Sequence, residues 1–130
     1  MEVISCKGLS FAYPKSENNV FSRVNLSVNS GEMVLLIGES ATGKSTLLKT
    51  LSGFLPKLGG NILISDNGRN GHKDITEYSD KELAKLIGVV LTSKPDIQNI
   101  SAREMVALGR SPYTGFWGSL GEEDNRIVDK

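Results

Sequence analysis

Polar and apolar residues alternate near the start of the chain in the way that is typical of half-exposed strands. Val24, Leu26 and Val28 are separated by polar residues, which is the two-residue period of an antiparallel strand with one face in solvent. The sequence therefore predicts two strands, over 3–11 and 21–28, joined by a polar turn.

A continuous apolar run, MVLLI over 33–37, follows the second predicted strand. A run without polar residues is typical of a parallel strand that is buried on both faces. Leucines between 47 and 51 then recur at helical spacing, and Gly53 stands where a helix would end. We expect a buried strand over 33–37, followed by a helix over about 44–52.

Short strands and helices are expected along the rest of the chain. Ser79 with Glu82, and Ser101 with Glu104, form the Ser-x-x-Glu pattern of a capping box, which opens a helix. The predicted elements are strands over 61–65 and 88–91, helices over about 79–86, from 101 to about 108 and over 122–130, and a loop rich in glycine and aromatic residues over 109–121.

Composition narrows the class of protein. The 130 residues include 15 Lys and Arg and 15 Asp and Glu, and this balance argues against broad electrostatic binding to nucleic acid. The length fits one domain. The single cysteine, Cys6, allows no internal disulfide, fits a reducing setting and is expected to be buried. No apolar stretch approaches the ~20 residues of a membrane span, so a membrane role would require a partner.

Residues 38–45, GESATGKS, carry the strongest chemical signal, the phosphate-binding pattern G-x-x-x-x-G-K-[ST]. Gly38 and Gly43 allow a tight bend and a close approach of the backbone to a ligand. Lys44 supplies a positive charge for the terminal phosphates, and the Ser45 hydroxyl suits Mg²⁺. The alternative is an ordinary glycine-rich turn with a solvated lysine.

Four segments together resemble the ATP-binding subunit of ABC transporters: FAYP, VNLSVNSGEMVLLIGESATGKSTLLKTLSGFLPKLGGNILI, YSDKELAKLIGVVLT and SAREMVALGRSPYTGF. The last is most similar to the subgroup that serves iron-siderophore, haem and cobalamin importers. The resemblance implies an α/β fold, the P-loop NTPase fold of the ABC ATPase type with an N-terminal antiparallel β-subdomain. Residues 1–130 would be the N-terminal portion of one such domain, with a helical subdomain beginning near residue 93.

The resemblance also implies a site for ATP and Mg²⁺. Tyr13 would stack on adenine, although it could instead pack in the core. Thr92 stands where the family has a metal-contacting glutamine, and is either a metal ligand with Ser45 or a plain loop residue. Lys44 would be the catalytic residue. The phosphate-loop positions are Gly38, Ser40, Ala41, Thr42, Gly43, Lys44, Ser45 and Thr46.

Other family motifs are not present in the 130 residues: an LSGGQ-type signature, an apolar strand ending in Asp-Glu, and a later catalytic histidine. We therefore expect the N-terminal part of a longer ATPase, which by itself binds nucleotide at most, lacks the catalytic glutamate and is marginally stable or self-associating. His72, the only histidine, is expected to be a solvated loop residue.

The expected partners are a second copy of the subunit and membrane permease subunits, with the protein at the cytoplasmic face of the cell membrane. Tyr113, Phe116 and Trp117 would form either a small helical core or part of a permease-docking groove. The segment 93–100 would move with nucleotide state. The expected role is ATP hydrolysis that drives import of an iron-siderophore-like compound. A non-catalytic nucleotide-binding module and another P-loop enzyme, such as a small-molecule kinase, are the alternatives.

Overall fold

A computed structural model describes residues 1–66, 71–92, 98–115 and 118–130. The chain divides into two compact units, Met1–Ser79 and Asp80–Lys130. The first unit contains the described strands and one α-helix, and the second contains the remaining α-helices.

The first unit is built on a four-stranded antiparallel sheet. Its strands are β1 (Glu2–Phe11), β2 (Phe21–Asn29), β3 (Gly59–Ser65) and β4 (His72–Asp74), in the order β2-β1-β3-β4. The predicted strands over 3–11, 21–28 and 61–65 are confirmed. The prediction of a loop at His72 is wrong, because this residue pairs with Ser65 as the first residue of β4. Its Nε2 lies 3.1 Å from the carbonyl oxygen of Glu2.

The core of this unit lies on the central strands. Cys6, Leu9, Phe11, Ile62 and Ile64 are buried, which confirms the expectation for the cysteine. An irregularity in the β1–β2 pairing lies between Cys6 and Leu9, so that both side chains are buried although the two residues are three positions apart, which in a regular strand would place them on opposite faces.

Gly60 in β3 lies very close to β1. Its φ of 81° is in the left-handed region, and a Cβ added there would be 2.4 Å from the carbonyl carbon and oxygen of Gly8. A side chain at position 60 would therefore need both an unfavourable backbone conformation and a separation of the two strands.

One helix, α1 (Lys44–Leu51), belongs to the first unit. Leu47, Thr46 and Thr50 face the interior, as the apolar spacing predicted for the leucine. The helix ends just before Gly53, as predicted, and the N–H of Phe54 donates to the carbonyl of Lys49 at 2.9 Å. A short 3₁₀ helix, Ile75–Glu77, follows β4.

The prediction of buried strands over 33–37 and 88–91 is wrong for this structure. Both runs are irregular and exposed: Met33 is 98% and Val90 99% accessible. The apolar pattern was typical of a parallel strand, but all strand pairs among the described residues are antiparallel. A parallel strand is buried only where neighbouring strands and covering helices exist, and the described residues supply none for these two runs.

The second unit contains α2 (Asp80–Leu86), α3 (Ala102–Ala107), a 3₁₀ helix (Leu108–Tyr113) and α4 (Glu122–Val128). The predicted helices are confirmed, while the predicted loop over 109–121 is wrong at its start, which continues from α3 as the 3₁₀ helix. The capping box of α3 is present, since the N–H of Ser101 donates to Glu104 at 2.7 Å and the N–H of Glu104 to Ser101 at 3.1 Å.

Two ion pairs join α4 to the preceding helices. Arg103 contacts Asp129 at 2.8 Å, and Arg110 contacts Asp124 at 2.7 Å with both side chains mostly buried. The pKa of Asp124 is lowered by the hydrogen bond from Arg110 and by the N–H of Gly121. These contacts tie together helices that are too short to be stable individually.

Gly60→Ala is expected to destabilise the protein by roughly 2–4 kcal/mol, because strain and steric conflict act together. Gly59→Ala is the matched control, since a Cβ there meets no atom within 4 Å. Urea denaturation followed by circular dichroism gives both values. Equal stability of the two variants would contradict the close approach of β1 and β3.

The carboxylate of Asp74 should make the first unit sensitive to acid. Burial acts to raise its pKa, but hydrogen bonds from Thr76, Lys57 and the N–H of Ile62 outweigh burial and lower the pKa. Lys57 Nζ lies 3.1 Å from the carboxylate. A depressed folded-state pKa gives stability that is complete above the unfolded value, about 3.9, and is lost as the pH falls through the folded value.

Asp74→Asn is therefore expected to lower stability at pH 7 by about 1–3 kcal/mol and to flatten its decline below about pH 4. The measurement is thermal unfolding between pH 7 and pH 3. Glu17→Gln, in an exposed turn, is the control and should follow the wild type. A variant whose profile runs parallel to that of the wild type would show that Asp74 has no such role.

Candidate functional site

The candidate site is the loop that leads into α1. Gly43 is the N-cap residue, with φ 93°, and it offers no side chain to the first N–H groups of the helix. Those N–H groups have no partner within the helix and carry the positive end of its dipole. The first turn contains no acidic residue, while Lys49 lies in the last turn. The start of α1 is therefore suited to an anion.

Glycine is required at position 43 by packing as well as by φ. A Cβ there would lie 2.8 Å from Cγ1 of Val20, the residue just before β2. The carbonyl of Phe11 accepts a hydrogen bond from the N–H of Val20 at 2.7 Å. The sheet thus fixes Val20, and Val20 fixes the entry of the loop into α1.

The side chain of Lys44 turns back over its own loop. Its Nζ donates to the carbonyl of Gly38 at 2.7 Å, to the Thr42 hydroxyl at 3.3 Å and to the carbonyl of Glu39. The Thr42 hydroxyl in turn donates to the carbonyl of Glu39 at 2.8 Å. The loop therefore closes around one ammonium group.

The inside of this loop leaves little room for a side chain at position 38. A Cβ at Gly38 would lie 3.1 Å from the Thr42 hydroxyl and 3.6 Å from Lys44 Nζ, so a side chain there would fill the cradle. The Lys44 ammonium donates to uncharged oxygen atoms of the loop. A phosphate also offers oxygen atoms, and because these are negatively charged, their hydrogen bonds with the ammonium would be stronger. Ala41 adopts φ 64°, a strained conformation of the kind that clusters at ligand-binding loops.

Tyr13 lies beside the start of α1, which the sequence could not show. Its hydroxyl is 3.1 Å from the hydroxyl of Thr46, and its ring meets Phe11 edge-on at 4.9 Å between centroids. Phe11 is buried, whereas Tyr13 is 48% exposed. The open part of the ring leaves room for a flat ligand, and stacking on adenine stays a prediction.

The other predicted site residues are distributed as follows. Ser40 and Ser45 lie exposed in or next to the loop, and Thr92 is exposed in irregular backbone of the second unit, so its metal role stays a prediction. Tyr113 is half-exposed beneath the guanidinium of Arg110, 4.1 Å from the ring centroid. Phe116, Trp117 and residues 93–97 lie outside the described residues.

Among the residues that the structure describes, no three or more His, Cys, Asp and Glu side chains are grouped closely enough to hold a metal ion. Within the same residues, no helix has the length and apolar character needed to cross a bilayer.

Comparison with known proteins identifies the family. Residues 21–129 match the model of the ABC transporter family. An uncharacterised ABC transporter ATP-binding protein of Methanocaldococcus jannaschii is 40% identical over 110 residues, covering 84% of this chain and 36% of the relative. The iron(3+)-hydroxamate import ATP-binding protein of Bacillus subtilis is 30% identical over 128 residues, covering 98% of this chain and 45% of the relative.

A solved ATP-binding cassette has the same fold. This dimeric cassette, in a post-hydrolysis state with ADP and phosphate bound, matches with a TM-score of 0.73 and 28% identity, over 96% of this chain and 53% of its own. The chain spans about half of the solved cassette and less than half of the curated relatives named above. The predicted fold class is confirmed, and the chain belongs to the ABC transporter family.

Proposed function

We propose that the loop over 38–45 captures the triphosphate of ATP, and that the complete subunit hydrolyses ATP to drive transport. The observation that carries this proposal is the conformation of the loop, with the Lys44 ammonium held inside it beside an uncapped helix start. Lys44 would neutralise charge on the terminal phosphates, where positioning and electrostatics provide most of the catalysis.

The finer parts of the function follow from the same proposal. The Ser45 hydroxyl would hold Mg²⁺, which when bound neutralises phosphate charge. A metal-binding role for Thr92 stays a prediction from the family resemblance. Tyr13 would take the adenine, while Ser40, Ala41, Thr42 and Thr46 would line the phosphates. Residues 1–130 would form the N-terminal portion of one cassette, with its helical subdomain beginning near residue 93.

The proposed partners are a second copy of the cassette and membrane permease subunits. The dimeric form of the solved cassette supports the first. The permeases would hold the subunit at the inner face of the cell membrane. The Bacillus subtilis relative is an iron(3+)-hydroxamate import ATP-binding protein, which supports an iron-siderophore compound as the cargo.

Lys44→Ala is expected to raise the dissociation constant for ATP by roughly ten- to a hundredfold, the effect of losing a charge-assisted hydrogen bond. Titration calorimetry measures the constant in the full-length protein, where turnover should fall as well. Lys49→Ala, the same change at the other end of α1, is the control. Equal ATP affinity of the two variants would show that Lys44 does not contact the phosphates.

Uptake of a labelled ferric hydroxamate tests the cargo. Deletion of the gene should lower uptake, and the wild-type gene, but not Lys44→Ala, should restore it. Unchanged uptake in the deletion strain would reject this cargo class while leaving ATP binding to be judged by calorimetry.

A further inference from the structure

The ring of Tyr13 is held from two sides by the protein itself. At one end, its hydroxyl contacts the Thr46 hydroxyl at 3.1 Å. At its side, the ring packs edge-on against Phe11, with an interplanar angle of 87°. The residue begins a turn in which the N–H of Ser16 donates to the Tyr13 carbonyl at 3.0 Å. A side chain with two rotatable angles is thus fixed although about half of it is exposed.

Thr46 is in turn fixed by its own helix. It is 8% exposed, and its carbonyl accepts a hydrogen bond from the buried hydroxyl of Thr50 at 2.8 Å. Thr46 lies two residues after Lys44, within the first turn of α1. The contact with Tyr13 therefore connects an aromatic ring in the β1–β2 connection directly to the helix that begins at the phosphate loop.

A nucleotide carries its base and its phosphates at a limited range of separations. A ring that takes the base is useful only if it is held at the corresponding distance from the loop that takes the phosphates. Fixing the ring before binding also removes the cost of ordering it on binding. The Tyr13–Thr46 contact fixes the ring relative to the first turn of α1 without any ordering on binding.

We propose that Thr46 is a positioning residue, which holds the Tyr13 ring ready for the base of the nucleotide through a hydrogen bond between the two hydroxyl groups. This inference rests on the proposed binding of ATP. It assigns to the Thr46 hydroxyl a role in binding the base, separate from any contact with phosphate.

The test compares the affinity for ATP with the affinity for inorganic tripolyphosphate, which has the phosphates and no base. Tyr13→Phe keeps the ring and removes the hydrogen bond, and Thr46→Val removes it from the other side. Each change should lower the affinity for ATP relative to the affinity for tripolyphosphate by roughly threefold, an effect within the range expected for the loss of one hydrogen bond. Loss of a phosphate contact would lower both affinities together and leave their ratio unchanged.

Three further variants separate positioning from general stability. Thr46→Ser keeps the hydroxyl and should keep the ratio of the wild type. Thr50→Val removes a buried hydroxyl from the same helix without touching Tyr13, so the ratio should stay while stability falls. The double variant, with Tyr13→Phe and Thr46→Val, should have nearly the same affinity ratio as either single variant, because both changes remove the same hydrogen bond.

The outcomes are distinct. A wild-type protein that binds neither ATP nor tripolyphosphate would reject the proposed function itself. A wild-type protein that binds both, together with a Tyr13→Phe variant of unchanged ratio, would overturn the positioning role alone. If Thr46→Val fails to fold, Tyr13→Phe decides, because its side chain is half-exposed and the ring remains.

Discussion

The contact between the β1–β2 connection and the first turn of α1 determines the geometry of the candidate site. Val20 packs against Gly43 so closely that no side chain fits there, and Tyr13 contacts Thr46. Both contacting residues are held by the ends of adjacent paired strands, β1 and β2. The pairing of β1 with β2 thus determines where the loop lies.

This arrangement explains how a loop of exposed residues keeps a definite shape. Gly38 and Thr42 would be mobile in an isolated peptide, since few apolar contacts hold them. In the protein, α1 anchors one end through Leu47 and Thr50, which are buried. The Lys44 ammonium donates hydrogen bonds to the carbonyls of Gly38 and Glu39 and so holds the other end of the loop. If ATP binds at this loop as proposed, its phosphates would replace oxygen partners of this ammonium, and little new ordering of the backbone would be needed.

The sequence predicted the features that are decided by neighbouring residues. The capping box of Ser101 and Glu104 and the end of α1 at Gly53 depend on groups only a few positions apart. The phosphate-loop pattern depends on local backbone in the same way. Features that depend on residues distant in sequence were not predicted. Examples are the contact of Tyr13 with Thr46 and the pairing of the three-residue strand β4. The apolar run over 33–37 showed a preference for burial, but no sequence pattern states which surface will provide it.

The exposed run over 33–37 continues directly into Gly38, whose carbonyl accepts the Lys44 ammonium. Any surface that covers this run would also restrict the first residue of the loop. Contact of such a surface with the run and binding of nucleotide to the loop would then be thermodynamically linked. Linkage is reciprocal: if the contact strengthens nucleotide binding, bound nucleotide strengthens the contact by the same factor. The apolar segment would in that case be energetically coupled to the proposed nucleotide site.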